Sequence, residues 1–349
     1  MIFQIDNNNT SDPHVNLALE EYALRHLDPD RTYFMMYVNQ PAVIVGRHQN
    51  ILEEVNLPFV DRHGLHVLRR ISGGGAVYHD DGNLNFSFIR QHDRRSLIDI
   101  SHILEPVRSA LLKLGVAAEF NHKHDLFVAG KKISGNAQFS NTKRIILHGT
   151  LLLKSDLVSL RRALQVNKDH VISRARQSVP SDVSNISDHL PPGTGMDAIR
   201  QQLVDGIAKR EGGVQKITLP DHVWNSVRRL STEKYRSWEW NFGRAPAFRI
   251  RRSCRTPAGY LETVIAVESG CIEGIHFGRN NTAISHAAQL ERRLMGTPYH
   301  RDAIRTRLSG VDVGCFGTTL TANQLAEHLC EKGISGLEPG LQSVRRFLS

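Results

Sequence analysis

At 349 residues the chain can hold one large core with a smaller companion, or two medium domains. Its 40% hydrophobic and 23% charged content is ordinary for a globular protein and carries no information on chemistry. No run approaches the roughly 20 apolar residues that cross a bilayer, and Met1 to Asp6 has neither the basic start nor the apolar stretch of a secretory signal. We therefore expect a cytoplasmic protein with no membrane partner. The net charge of +9 favours acidic partners without choosing among nucleic acid, anionic lipid and protein.

Asp12-Pro13 starts a helix, with a capping side chain ahead of a proline whose missing N–H does no harm. Val15, Ala18, Leu19, Tyr22 and Ala23 follow at helical spacing. Tyr33 to Val38 and Ala42 to Val45 read as strands around Asn39-Gln40-Pro41. Leu84, Phe86 and Phe88 alternate with Asn85 and Ser87, which predicts a half-buried strand. Ile100 to Leu114 carries a helical stripe closed by Gly115, with Pro106 inside it predicting a late start or a kink. Ile145 to Leu153 reads as a strand, and Leu157 to Leu164 and Met196 to Arg210 as helices. Ser178 to Gly195, with three prolines and two glycines, reads as a long, partly exposed connection.

After Phe248 the character changes. Arg249, Arg251, Arg252 and Arg255 lie in a basic stretch without periodicity, read as a solvated linker or edge ahead of a docking surface. Strands over Tyr260 to Glu268 and Cys271 to Phe277 flank the turn Ser269-Gly270, and helices follow near His286 to Met295 and Thr321 to Lys332. The order of elements is mixed α+β with a boundary near residue 250. The four cysteines are Cys254, Cys271, Cys315 and Cys330. They form no CxxC pair, and their spacing fits neither a disulfide framework nor a usual zinc site.

Two segments carry chemistry. In Arg69-Arg70-Ile71-Ser72-Gly73-Gly74-Gly75-Ala76-Val77-Tyr78-His79, three consecutive glycines cost backbone entropy. Close approach of main chain to an anionic ligand would repay it, and arginine grips carboxylate or phosphate in a fork. A flexible turn beside two surface arginines is the competing reading. The loop lacks the glycine-lysine-serine/threonine ending of a phosphate loop and leads into a strand instead of opening a helix. It also lacks Rossmann spacing. In His124 to Ala137, Lys131 and Lys132 lie between two glycines, where a lysine can neutralise charge developing on a phosphoryl group. Adjacent lysines at a hairpin tip are common, so the pair alone decides nothing.

Taken together, Asp12 to Tyr22 (DPHVNLALEEY), Val45 to Asn50 (VGRHQN), Arg69 to Phe88 (RRISGGGAVYHDDGNLNFSF), Asp125 to Ala137, His148 to Leu153 (HGTLLL) and Ser237 to Phe248 (SWEWNFGRAPAF) resemble the lipoate–protein ligases, relatives of biotin–protein ligases. The resemblance implies a large α/β catalytic domain with mixed sheets over 1–248 and a small C-terminal accessory domain over 249–349, an α+β fold overall. It implies adenylation of lipoate by ATP with Mg²⁺, then transfer to an acceptor lysine. It places Arg70, Gly75, Ala76, Val77, Tyr78 and Lys132 at ATP, with Lys132 as the catalytic residue. Lys132, Arg70, Ser72, Gly73, Gly74 and Gly75 fall at lipoate, and Asp125 has any Mg²⁺-related role. The strands Ala42 to Val45 and Leu84 to Phe88 are candidate walls for the dithiolane and its tail. The family usually has asparagine where this chain has His124. His122-Lys123-His124-Asp125 could pass for a metal cluster, but a substituted loop position is the simpler reading.

The nearest rival is a lipoyl or octanoyltransferase that uses preformed lipoyl-AMP or an acyl carrier without ATP. Octanoyltransferases of this superfamily use a catalytic cysteine, and no cysteine here precedes Cys254. Direct nucleic-acid binding is disfavoured because the ligase match begins by Asp12 and leaves no room for a preceding DNA-binding domain. We expect a monomer whose basic surface speeds encounter with acidic lipoyl domains of 2-oxoacid dehydrogenase E2 subunits or the glycine-cleavage H protein.

Overall fold

The computed structural model describes residues 1–92, 100–166, 171–256, 259–279, 282–284, 287–316 and 320–330. It divides into two compact units: residues 1–166 with 176–241, and residues 167–175 with 242–349. No helix among the described residues is long and apolar enough to cross a membrane.

In the first unit, β1 (Ile2–Ile5) leads to α1 (Pro13–His26), whose first turn is capped by the Asp12 carboxylate accepting from the His14 N–H. Strands β2 (Tyr33–Tyr37) and β3 (Ala42–Val45) follow, then two short helices, α2 (Ile51–Glu54) and α3 (Leu57–His63). Next come β4 (His66–Arg69), β5 (Val77–His79), β6 (Asn83–Gln91) and α4 (Ile100–Lys113). Helix α4 continues through Pro106, so the proline does not delay its start. Strands β7 (Glu119–Phe120), β8 (Leu126–Val128) and β9 (Lys131–Ser134) form a small antiparallel sheet. After β10 (Asn136–Ser140) and β11 (Arg144–Leu152) come α5 (Leu157–Leu164), α6 (Met196–Glu211), β13 (Val214–Ile217) and α7 (Asp221–Leu230); β12 (Val171–Ser173) belongs to the second unit.

The main sheet has the order β10-β11-β6-β2-β1-β13, parallel where β1 meets β2 and β13 and antiparallel elsewhere. Period-two alternation sends Phe34, Phe86, Phe88, Leu147 and Leu151 to one face, where Leu104, Val107, Leu111, Ile199 and Leu203 of α4 and α6 cover them. The opposite face carries Tyr33, Met35, Ile89 and Ile146 under α1 and α7, together with Ile44 and Leu68 of the small sheet β4-β3-β5. Strand β6 departs from the half-buried expectation. Asn85 and Ser87 are as buried as the phenylalanines, because their face of the sheet is covered as well. The polar set Tyr37, Asn85, Ser87, His148 and Thr150 is in register across β2, β6 and β11. It marks where the covered face stops being a core and becomes a site.

Arg69 fastens β4 to its surroundings. Its side chain is fully buried and donates to the carbonyls of Gly46, Arg47, Gln49, Trp240 and Asn241 at 2.7–3.2 Å. These are main-chain oxygens, not an anion, and burial pulls its pKa down to about 10.

In the second unit, β12, β14 (Phe248–Thr256), β15 (Gly259–Glu268), β16 (Cys271–Arg279) and β17 (Thr282–Ala283) form one antiparallel sheet in that order. Helices α8 (Ala288–Leu294), α9 (Arg301–Leu308) and α10 (Ala322–Cys330) complete it. The basic stretch is therefore not a linker: it is β14, paired along its length with β15 and, over Phe248 to Ile250, with β12 as well, so that Arg251 to Arg255 keep one open edge. Its alternation was hidden because Arg252 occupies an inward position between buried Ile250 and Cys254, donating to the Cys330 carbonyl at 3.0 Å. Residues 331–332 of the expected last helix, and 286 of the one before, lie outside the described residues.

Replacing Arg69 with leucine should cost about 3–5 kcal/mol in denaturant unfolding, because five buried carbonyls lose their donor at once. An exposed arginine such as Arg62 changed to leucine should shift the midpoint by a small fraction of that.

Candidate active site

Residues 70–76 connect β4 to β5 as a loop pressed against the end of β3. A Cβ on Gly46 would stand 2.2 Å from the Gly74 carbonyl oxygen, and Gly74 itself adopts φ +88°. The second arginine moulds this loop. Arg70 is 5% exposed, and four of its five N–H groups donate inward: to Ser72 Oγ at 2.9 Å, Ile44 O at 3.0 Å, Gly73 O at 2.5 Å and Gly75 O at 2.8 Å. Burial lowers its pKa to about 10, so it keeps its charge at neutral pH. In this structure Arg70 holds the loop, with one donor left for a ligand.

Gly74, Gly75, Ala76 and Val77 line a cavity of about 410 Å³, a size suited to a small-molecule ligand. Ser72 and Gly73 stand behind that lining. Tyr78 points away: its side chain is buried beside Asp80 and Ser159, and burial raises its hydroxyl to about 12. Any contact from Tyr78 to a ligand in the cavity runs through its main chain.

The cavity floor is the polar patch of the main sheet. Ser72 Oγ lies 2.6 Å from His148 Nε2, and His148 Nδ1 lies 2.8 Å from a carboxylate oxygen of Glu20 on α1. The other Glu20 oxygen accepts from the Tyr37 hydroxyl at 2.9 Å. Burial and the Glu20 charge hold Tyr37 well above its ordinary value, so it remains a donor. One hydrogen-bonded chain thus runs from β2 through α1 and β11 to the glycine loop. Of the expected walls, Ile44 of β3 lines the cavity. From β6 it is Asn85 that does so, since Leu84, Phe86 and Phe88 face the other core.

Lys132 projects from β9 into the same cavity, one quarter exposed, with Nζ 2.7 Å from Asp125 Oδ2. Asp125 also accepts from the Asn136 N–H at 3.1 Å. Asp125 is the one carboxylate among the described residues lining the cavity. His124 sits in the left-handed region at φ +62°, and its ring Nδ1 reaches Ser101 of α4 at 2.8 Å. Asparagine is favoured at such a backbone position and histidine tolerates it, so the substitution is conformational. No cluster of three or more potential metal ligands exists among the described residues.

The connection Ser178 to Gly195 is partly exposed, as expected, and its first residues, with Arg176 and Gln177, also form one side of the cavity. Ser178 Oγ accepts from the Ala76 N–H at 2.9 Å and from Gln49 at 3.0 Å, and donates to Glu54. Further along, the Lys132 N–H donates to Asp182 O at 2.8 Å, and the Ser184 N–H to Lys132 O at 3.1 Å. No local pattern announces this, because every partner is 50 or more residues away in sequence. His79 was missed as well. It is 4% exposed, lines the cavity, and is held neutral by burial and by Arg70, with a pKa lowered to about 3.

A glycine loop, a lysine and a lone carboxylate border one cavity on a mixed sheet, an arrangement suited to an anionic small molecule beside oriented main chain. Comparison with known proteins resolves the class. Residues 12–208 match the lipoyl protein ligase A/B catalytic domain, and residues 245–329 the bacterial lipoate protein ligase C-terminus. The chain is 41% identical over 323 residues to the lipoate-protein ligase LplJ of Bacillus subtilis, covering 92% of this chain and 97% of that one. It is 39% identical over 309 residues to lipoate–protein ligase 1 of Staphylococcus aureus, covering 88% and 94%. Protein Ta0514 of T. acidophilum, solved with bound lipoic acid, superimposes with a TM-score of 0.60 at 27% identity, covering 70% of this chain and all of that one. A lipoate-protein ligase A bound with ATP gives 0.59 at 27% identity, covering 70% and 99%. The chain belongs to the lipoate–protein ligase family, and it is a ligase.

Gly46→Ala tests the moulded loop. A methyl group 2.2 Å from the Gly74 oxygen must displace one segment or the other. Activity should fall on the order of 100-fold, as for a misplaced reacting group. Far-ultraviolet circular dichroism should stay native.

Proposed function

We propose that the enzyme activates lipoate with ATP and passes the lipoyl group from lipoyl-AMP to the lysine of an acceptor domain. The observation that carries the reading is the Lys132 ammonium opening onto the same cavity as main chain 74–77, with Asp125 as its counter-ion. In the first step a lipoate carboxylate oxygen attacks the α-phosphorus of ATP, and the α–β phosphoanhydride breaks to release pyrophosphate. Negative charge gathers on the phosphoryl oxygens, and Lys132 is placed to offset it. In the second step the acceptor ε-amine attacks the acyl carbon, loses a proton, and expels AMP. The loop braced by Arg70 supplies position in both steps, which is most of what such chemistry requires.

Mg²⁺ is held by one or two carboxylates together with substrate phosphates. A single cavity carboxylate, Asp125, already paired with Lys132, suits an ion that arrives with ATP better than a resident one. Bound there, it would neutralise phosphate charge. In this reading, as the family resemblance implies, ATP lies on Gly75 to Tyr78 and lipoate beside Ser72 to Gly75. A solved T. acidophilum ligase and its E2 lipoyl domain form one lipoylation system, which supports lipoyl domains as acceptors here. We assign catalysis to the first unit and an accessory role to the second, with a cytoplasmic monomer as the working form. The net charge of +9 suits an acidic acceptor.

The rival transferase without ATP is not favoured. The described cysteines Cys254, Cys271 and Cys330 all lie in the second unit, and burial raises the Cys254 thiol to about 11.

Lys132→Ala should abolish lipoate-dependent ATP–pyrophosphate exchange while the melting temperature stays within a few degrees of the parent. Near-normal exchange in that variant would remove Lys132 from its role. Alkylation of thiols should leave the exchange rate of the parent largely unchanged; strong inactivation prevented by lipoate would revive the acyl-thioester route.

A further inference from the structure

The mechanism above makes no use of His79, although its ring forms part of the cavity wall. Three asparagines fix the state of that ring. Asn7 Nδ2 donates to the Thr10 carbonyl at 2.9 Å and to Asn16 Oδ1 at 3.0 Å. Asn16 Nδ2 donates to the same carbonyl at 3.0 Å and to Asn39 Oδ1 at 2.8 Å. Both amides are oriented by the Thr10 carbonyl, which can only accept. Asn39 must therefore present its nitrogen to His79 Nδ1, at 2.9 Å. Nδ1 accepts, so in the neutral ring Nε2 carries the proton. Burial and the neighbouring Arg70 charge keep the ring neutral at any physiological pH. Nε2–H is then a buried donor with no hydrogen-bond acceptor among the described residues. Leaving such a group unmatched costs more than a hydrogen bond returns.

Lys132 and the glycine loop define where the carboxyl end of the substrate reacts. The wall formed by Leu17, Tyr37, Ile44 and His79 belongs to α1, β2, β3 and β5, whereas Lys132 lies on β9 and Asp125 just before β8. An acid whose carboxyl end reacts beside Lys132 and whose tail follows the apolar Leu17 and Ile44 ends among the first group of residues. Resting on the lipoate reading of this cavity, we propose that His79 Nε2–H donates to a sulfur of the dithiolane ring and so makes the site select lipoate over a straight-chain acid of equal length, such as octanoate. Sulfur is a weak acceptor, but an octanoate methyl group offers no acceptor at all and leaves the buried N–H unmatched. Discrimination arises from the penalty on the wrong substrate as much as from the bond to the right one.

The test compares lipoate and octanoate in ATP–pyrophosphate exchange catalysed by the full chain. The parent must first show lipoate-dependent exchange; if it shows none, the activity assigned to the cavity fails, and the selectivity built on it falls with it. Two variants then separate the ring's two roles. His79→Asn retains an acceptor for Asn39 and lacks the distal donor. His79→Gln places an amide N–H near the position of Nε2. We expect the lipoate-to-octanoate ratio of kcat/KM to fall about fivefold in His79→Asn, mostly through KM, and to recover at least in part in His79→Gln. Fivefold corresponds to about 1 kcal/mol, the net value of one hydrogen bond. Equal losses with both acids would assign His79 a structural role and overturn the proposal. An unchanged ratio in both variants would overturn it too. Because the readout is a ratio within each variant, a partly destabilised protein still decides the matter. Nitrogen NMR of the free parent should show the Nε2–H tautomer; the Nδ1–H form would also refute the proposal.

Discussion

Two buried guanidinium groups on main-chain carbonyls are the constraint from which the rest of the site follows. Arg69 and Arg70 are adjacent at the end of β4, and a strand sends neighbouring side chains to opposite faces. One therefore binds the turn after β3 and the segment at Trp240 and Asn241, while the other binds the glycine loop from inside. Neither uses an acidic partner for these bonds. An arginine buried against carbonyls must satisfy nearly all its donors or destabilise the fold, so the geometry has little freedom to vary. A triglycine segment, which in isolation would be floppy, is thereby held in one conformation. For a reaction that depends on placing a carboxylate against a phosphorus atom, this rigidity matters more than any single charged contact.

The second feature is the division of one sheet face between core and site. Along β2, β6 and β11, apolar side chains give way in register to Tyr37, Asn85, Ser87, His148 and Thr150. Buried polar groups need partners: Tyr37 and His148 find them in a chain through Glu20 to Ser72, Asn85 in Asn83 and the Tyr37 carbonyl, and Thr150 in the Gly135 N–H. The helix that packs the core also sends Leu17 to the cavity, Glu20 to Tyr37 and His148 beneath its floor, and Asn16 into the amide relay behind His79. Stability and substrate placement draw on the same helix α1, so Asp12 to Tyr22 stands out in the sequence even though it contains no catalytic residue.

Local signals were sufficient for most elements. The Asp12 cap, the alternation of Leu84, Phe86 and Phe88, and the stripes of α4 and α6 report short-range preferences that the fold does not override. The misreadings have a common cause. Arg252 broke the apparent alternation of β14 because its partners, Tyr299 and Cys330, are distant in sequence. Ser87 and Asn85 looked solvated because polarity is a fair guide to exposure only where nothing covers the strand. The start of the Ser178 to Gly195 connection gave no sign of its place beside the cavity, because proline and glycine content describes the backbone and not what it touches.

By itself, the sequence determined the chemistry on offer: a glycine run behind two arginines, a lysine between glycines, no cysteine before Cys254, and the family to which that combination belongs. These are matters of which groups exist and how they are spaced along the chain. Only the tertiary structure decided how each group is spent. Arg69 became a strut, Arg70 a brace with one donor to spare, and Ser178 a partner of the loop. It also left His79 in the cavity wall with Nδ1 beside Asn39 and Nε2 without a partner among the described residues. The reason is that a side chain's role depends on the acceptors within about 3 Å of it, and here those come from strands and loops far apart in the sequence.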